Sequence, residues 1–164
     1  MSYSIFEDTL ADMTFTEVEE CAKNNAVVLF PIAVIEEHGP HMCLGTDVYL
    51  AYQCCVKIKK GLEKYEIKSA IVPPFYWGIN HCTGAFTGSF SSDKETMKNS
   101  LVEIMRNLDK WGFHKIFHIS LPLYYVHIQA IINAVNEAYN KYGIGSYMAF
   151  PDDVLKYYGL NGDV

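Results

Sequence analysis

A three-layer α/β fold, with a mostly parallel sheet between helices on both faces, is predicted by three observations on this 164-residue chain. Short runs of almost continuous apolar character, "AVVLFPIAV" and "KIFHISLPL", read as strands buried on both sides. Longer segments between them carry apolar residues three or four apart, the spacing of an amphipathic helix. The two kinds of segment alternate along the chain, which is the order of a parallel sheet joined by crossover helices.

The elements follow in turn. Thr14 and Glu17 have the spacing of a capping box ahead of Val18, Cys21 and Ala22, so a first helix starts near Thr14. "AVVLFPIAV" is the first strand. Ala51, Cys54, Cys55, Ile58 and Leu62 mark a helix that begins near Thr46-Asp47 and ends near Gly61 or Lys64. "SAIVPPF" is a second short strand closed by Pro73-Pro74. "YWGINHCTGAFTGSF", rich in glycine and aromatics, reads as a long loop. Ser92 and Glu95 form a second capping-box pattern, and Leu101, Ile104, Met105, Leu108 and Trp111 supply the stripe of the helix behind it, which Gly112 stops. "KIFHISLPL" is the third strand, and "VHIQAIINAVNEAYNKYG" is a helix ending at Gly143. "SYMAF" is a last strand and "PDDVLKYY" a short terminal helix with Pro151 in its first turn. No repeat, linker or low-complexity segment interrupts the series, so residues 1–164 form a single domain.

Composition narrows the function classes. Half the residues are hydrophobic and a fifth are charged, which is ordinary for a globular protein. A formal charge of -6 argues against nucleic acid or an anionic membrane surface as partner, since both require a basic face. The longest apolar run, "AVVLFPIAVI", contains Pro31 and stops after ten residues, too short to span a bilayer, and acids stand where a signal peptide carries lysines. A cytoplasmic location is expected. Five cysteines without a CxxC pair suggest neither a disulfide framework nor a thiolate zinc site.

The chemistry concentrates in residues 34–47, "VIEEHGPHMCLGTD". Glu36 and His38 stand two apart beyond a strand, where side chains in extended backbone point the same way. Gly39-Pro40 turns the chain, and Asp47 arrives at the start of a helix. Two carboxylates and an imidazole suit zinc, manganese or iron(II). Asp47 has two oxygens to share between two ions, and a two-metal site lowers the pKa of a shared water and clamps an oxyanion, the equipment for hydrolysis at neutral pH. The plainer uses are also open: Asp47 as a helix N-cap, Glu37 as a solvated acid, His41 as a hydrogen-bonded loop histidine. Because parallel sheets bind ligands at the carboxyl ends of their strands, this segment and the 75–91 loop are expected to share one cleft.

"EEHGPHMCLGTD" resembles the signature of the creatininase family, which reads roughly E-x-H-G-x-H-L-P-x-x-T-D. "VVLFPIAVIEEHG" is similar to the family's strand leading into that motif. In "PPFYWGINHCTGAFTGSF", Trp77-Gly78, His81 and Phe86-Thr87-Gly88-Ser89 stand where the family has a tyrosine-glycine pair, a histidine and F-P-G-T. "WGFHKIFHI" resembles the helix end and third strand, so the likeness covers roughly residues 14–140. It implies a metal-dependent hydrolase of amide C–N bonds, on the pattern of creatinine ring opening, formamide hydrolysis or trimming of a modified peptide, acting on a small cyclic or formyl-type amide. It also implies a compact α/β fold assembled as an oligomer, and one or two divalent ions (Zn, Mn or Fe). Glu36 and His38 would each bind one ion and Asp47 would bridge them. His41 would sit beside them, His81 would line the substrate pocket, and Glu37 or His81 would handle protons.

The sequence departs from the pattern after the third strand. The family's N-G-H-G-G-N, whose histidine is a ligand, is replaced by "SLPLYY", with Pro122 at the histidine's place. The family's late H-A-G-x-x-E-T-S motif has no counterpart before Val164. Three explanations stand: His118 or, better, His127 substitutes as the metal ligand; another subunit supplies the missing groups; or the chain is a non-catalytic ligand-binding or regulatory relative. The aromatic residues near the strand ends, Phe75-Tyr76-Trp77 and Tyr124-Tyr125, suit an apolar pocket, a subunit interface or simple core filling.

Overall fold

The computed structural model describes residues 4–122 and 124–149. Among the described residues four α-helices and four strands alternate after a short 3-10 turn (Leu10–Asp12): α1 (Phe15–Lys23), β1 (Val27–Ile32), α2 (Thr46–Glu63), β2 (Ser69–Ile71), α3 (Lys94–Lys110), β3 (Ile116–Ser120), α4 (Tyr125–Tyr142) and β4 (Ser146–Met148). The strands form one sheet in the order β2-β1-β3-β4. All three pairings are parallel, with Leu29 opposite Ile71, Phe30 opposite His118 and Ile116 opposite Ser146. The expected terminal helix after Pro151 lies outside the described residues.

Alternation along the strands builds the layers. Leu29, Ile71 and Ile119 face one side and pack on Tyr52, Cys55 and Val56 of α2. Val28, Phe30, Ile32, Ala70 and Ile116 face the other, against Met97, Leu101, Met105 and Leu108 of α3 and Ile128, Ile131, Ala134 and Ala138 of α4. Both faces are therefore dry, which is why β1 is apolar at nearly every position. Burying such side chains contributes about 1.5–3 kcal/mol each relative to exposure.

The helix ends follow local chemistry. Thr14 caps α1 in a complete capping box: its hydroxyl accepts from the Glu17 N–H, and the Glu17 carboxylate accepts from the Thr14 N–H at 2.7 Å. The second capping box does not form. Asp93, one residue on, caps α3 by accepting from the Glu95 and Thr96 N–H groups, and Ser92 instead donates its hydroxyl to the Trp77 carbonyl at 2.6 Å. A carboxylate is the stronger acceptor at the positive end of a helix, so it takes the cap from the neighbouring serine. Gly143, at φ 72°, closes α4 in the left-handed conformation.

Strand order sets where a site belongs. From β1 the chain crosses over α2 to β2 on one side; from β3 it crosses over α4 to β4 on the other. The chain thus leaves the carboxyl ends of neighbouring β1 and β3 in opposite directions. That divergence opens a crevice, the usual ligand position of a doubly wound sheet.

Candidate metal centre

The segment leaving β1 supplies one wall of the crevice. Its ends are drawn together where the Glu36 N–H donates to the Leu44 carbonyl at 3.0 Å, and Gly39, at φ 84°, makes the turn between them. Asp47 then enters at the second residue of α2. One ligand atom each from Glu36, His38 and Asp47 lies within 4.8 Å of the others. That spacing places all three around a single point.

The hydrogen bonds orient these groups. His38 Nδ1 lies 3.0 Å from the Glu36 carbonyl oxygen, which can only accept. Nδ1 therefore donates to that carbonyl, and Nε2 faces the cluster, donating to the Asp47 carboxylate when protonated and offering its lone pair to a cation when not. Nε2 lies 3.0 Å from Asp47 Oδ1. Asp47 is 8 % exposed, and its Oδ2 is buried with no hydrogen-bond partner. The helix-cap use of Asp47 is excluded: Gly45 occupies the cap position, and no side chain caps α2.

The electrostatics describe a site short of positive charge. Burial lifts the Glu36 carboxyl above its ordinary range; a hydrogen bond from Thr83 opposes the lift and the Asp47 charge adds to it. Burial disfavours the His38 cation, yet the bond to the Glu36 carbonyl and the charges of Asp47 and Glu36 outweigh it and raise the ring's pKa. Two carboxylates held together with an orphaned oxygen cost free energy until a cation joins them. The donor set of two oxygen ligands and an inward imidazole nitrogen fits zinc, manganese or iron(II).

The second wall is the 75–91 loop, as expected from the sequence. Phe90 N–H donates to the Ile35 carbonyl at 2.9 Å, and Glu37 N–H donates to Ser89 Oγ at 3.0 Å. Thr83 Oγ1 donates to Glu36 Oε2 at 2.9 Å. Thr83, and Asn80 beneath it, escaped the sequence reading, since neither belongs to the chemically distinctive residue types.

The remaining candidates fall outside the cluster. His127 is fully buried on α4; its Nδ1 accepts from the Ile79 N–H at 3.1 Å, so the neutral ring keeps its proton on Nε2, which has no partner and no lone pair for a metal. The structure does not bring His127 into the group. It serves instead as a rigid seat for the second loop. A Cβ on Gly78 would stand 2.4 Å from its Cε1 and 2.6 Å from the Ala33 carbonyl oxygen, so only glycine fits there. His118, also buried, has neither ring nitrogen bonded and packs against Phe30 with ring centroids 5.6 Å apart. The Glu37 carboxylate accepts from the Gly39 N–H at 2.8 Å, shaping the turn. His81 is exposed, with Nδ1 3.4 Å from the Tyr124 hydroxyl, and His41 is exposed.

Fold and site together define an α/β protein with a carboxylate-imidazole cluster at the divergence of its central strands. The chain belongs to the creatininase family, whose model, described as creatinine amidohydrolase, matches residues 11–158. It is 24% identical over 173 residues to creatinine amidohydrolase of Pseudomonas putida, covering 99% of this chain and 61% of that one. It is 29% identical over 92 residues to the mycofactocin precursor peptide peptidase of Mycolicibacterium smegmatis, covering 56% and 37% respectively. A solved structure of a manganese creatininase superposes with a TM-score of 0.74 at 18% identity, covering 96% of this chain and 66% of that chain. The chain thus spans about three fifths of the length of the P. putida relative.

Proposed function

We propose that this chain is a metal-dependent hydrolase of a small cyclic or formyl-type amide C–N bond. The observation that carries the reading is the convergence of Glu36, His38 and Asp47 with a buried, unpartnered Asp47 oxygen. Family membership supports it, as do the names of the relatives, one an amidohydrolase and the other a peptidase. Both break an amide C–N bond.

In this reading Glu36, His38 and Asp47 hold one or two divalent ions. A bound divalent ion supplies acidified water and polarises a carbonyl. The protein's own part is to orient the ligands and to carry protons. Glu37 has one oxygen committed to the Gly39 turn, which leaves the exposed ring of His81 as the better proton carrier, with the Tyr124 hydroxyl beside it. The domain is a single unit and works as an oligomer.

A second reading has an observation of its own. Among the described residues only three side chains join the cluster, and the segment after β3 offers Leu121 and Pro122 where a further ligand is expected. A chain with an incomplete metal shell would serve as a non-catalytic ligand-binding or regulatory subunit, or borrow the missing group from another subunit.

Metal analysis after purification with Mn2+ or Zn2+, followed by hydrolysis assays on small cyclic amides and formamides, separates the two. Hydrolysis expects near-stoichiometric metal and turnover that disappears in Asp47→Ala. Metal far below one equivalent, or bound metal without turnover on any amide, overturns the hydrolase reading and favours the second.

A further inference from the structure

The second loop reaches the cluster at one atom. Thr83 Oγ1 donates to Glu36 Oε2 at 2.9 Å, across 47 residues of sequence. Thr83 is itself held from below by Asn80, which is 3 % exposed. Its backbone N–H donates to Asn80 Oδ1 at 3.0 Å, and Asn80 Nδ2 donates to Thr83 Oγ1. Asn80 is fixed in turn, its own N–H donating to Ser91 Oγ at 3.0 Å. The Asn80 amide donates to the threonine oxygen, and of the two acceptors left for the single hydroxyl proton, Glu36 Oε2 at 2.9 Å and Ser89 Oγ at 3.4 Å, the nearer and charged one takes it. The direction of that hydrogen bond is built into the loop.

We propose that Thr83, braced by Asn80, is a positioning residue that commits one carboxylate oxygen of Glu36 and leaves the other to ligate a cation. Glu36 then binds through a single oxygen, and its rotamer is set before the ion arrives. Groups that orient a ligand from behind typically govern metal affinity by about 10–100-fold. The proposal rests on the reading of Glu36, His38 and Asp47 as a metal centre.

A merely structural role, keeping the two loops together, is a poorer account of Thr83. Other contacts already perform that task. Phe90 N–H donates to the Ile35 carbonyl, Glu37 N–H donates to Ser89 Oγ, and Ser92 N–H donates to the Gly78 carbonyl at 2.9 Å. A Cβ on Gly88 would also meet Leu44 Cδ1 at 2.6 Å, so the loop tips are in close contact. Of these only the Glu37–Ser89 contact touches the Thr83 hydroxyl, through its long 3.4 Å approach to Ser89 Oγ.

The test titrates Co2+ and Mn2+ into the full chain, comparing wild type with Thr83→Val, Thr83→Ser and Asn80→Ala. Affinity is read by calorimetry, ligand geometry by the visible absorption of the cobalt form, and folding by circular dichroism. Thr83→Val should bind about 10-fold more weakly or worse and show a weaker, shifted cobalt spectrum as Glu36 becomes free to bind through both oxygens. Thr83→Ser should restore both readouts, and Asn80→Ala should fall between. If Thr83→Val fails to fold, Thr83→Ala makes the same comparison. Wild-type affinity and spectrum in the folded hydroxyl-free variant overturn the proposal and leave the metal centre intact. No binding by the wild type overturns the metal centre, and this inference with it.

Discussion

The carboxyl ends of β1 and β3 lie side by side in the sheet, and they are built in opposite ways. Beyond β1 the backbone turns at glycine and brings two carboxylates and an imidazole to one point. Beyond β3 the chain continues with Leu121 and Pro122, and its nearest histidine, His127, faces into the core and is bonded to a backbone N–H. Strand position alone does not make a site. What separates the two ends is whether polar atoms are left facing a common space, as Asp47 Oδ2 is, or are each spent on the scaffold, as His127 Nδ1 is.

Substitutions on the two sides should therefore differ in kind. The largest effect belongs to the β1 side: Asp47→Asn should abolish measurable Mn2+ binding in calorimetry with the fold retained, since it removes both the charge and a ligand oxygen. Retained binding in that variant would erase the contrast.

On the β3 side the effects should fall on stability. Burial pushes the pKa of His118 and of His127 down to about 4, against about 6.5 for an unfolded histidine. Between these values the unfolded chain binds more protons, so stability is full above about pH 6.5 and is lost as pH falls toward 4. The loss is on the order of 3 kcal/mol for a fully buried ring. His118→Phe should flatten this acid limb in urea denaturation measured from pH 4 to 7. It should also raise the melting temperature at neutral pH, because both ring nitrogens lack partners and the ring already packs on Phe30.

Gly78→Ala sharpens the comparison where the two sides meet. The added methyl has to displace His127 and the Ala33 carbonyl, at a cost of about 1–3 kcal/mol, visible as a lower urea midpoint. His127→Leu should have the smallest reach. It leaves the Ile79 N–H buried without an acceptor, costing about 1–3 kcal/mol, while Mn2+ affinity falls no further than in Asn80→Ala, because His127 acts on the cluster only through the loop it seats. A large loss of affinity would instead return His127 to the metal shell.

The fold was largely legible because its signals are local. The α2 stripe of Ala51, Cys55 and Ile58, the Thr14–Glu17 box and the unbroken apolar run of β1 each declare an element without reference to the rest. Ser92 misled because Ser92-Asp93 offers two caps in succession, and only the charge decides between them. Glu36, His38 and Asp47 were legible because their types are distinctive and their spacing is short. His127 was not, since its role depends on which way a helix faces after packing. Thr83 was invisible for a related reason: a threonine acquires its part only when a distant loop closes over Glu36.

The most direct test of the account is anomalous diffraction from crystals grown with Mn2+ or Zn2+. The expected result is a peak within coordination distance, about 2.0–2.2 Å, of a Glu36 oxygen, His38 Nε2 and an Asp47 oxygen. Density showing these three side chains turned apart, with no anomalous peak among them, would contradict it.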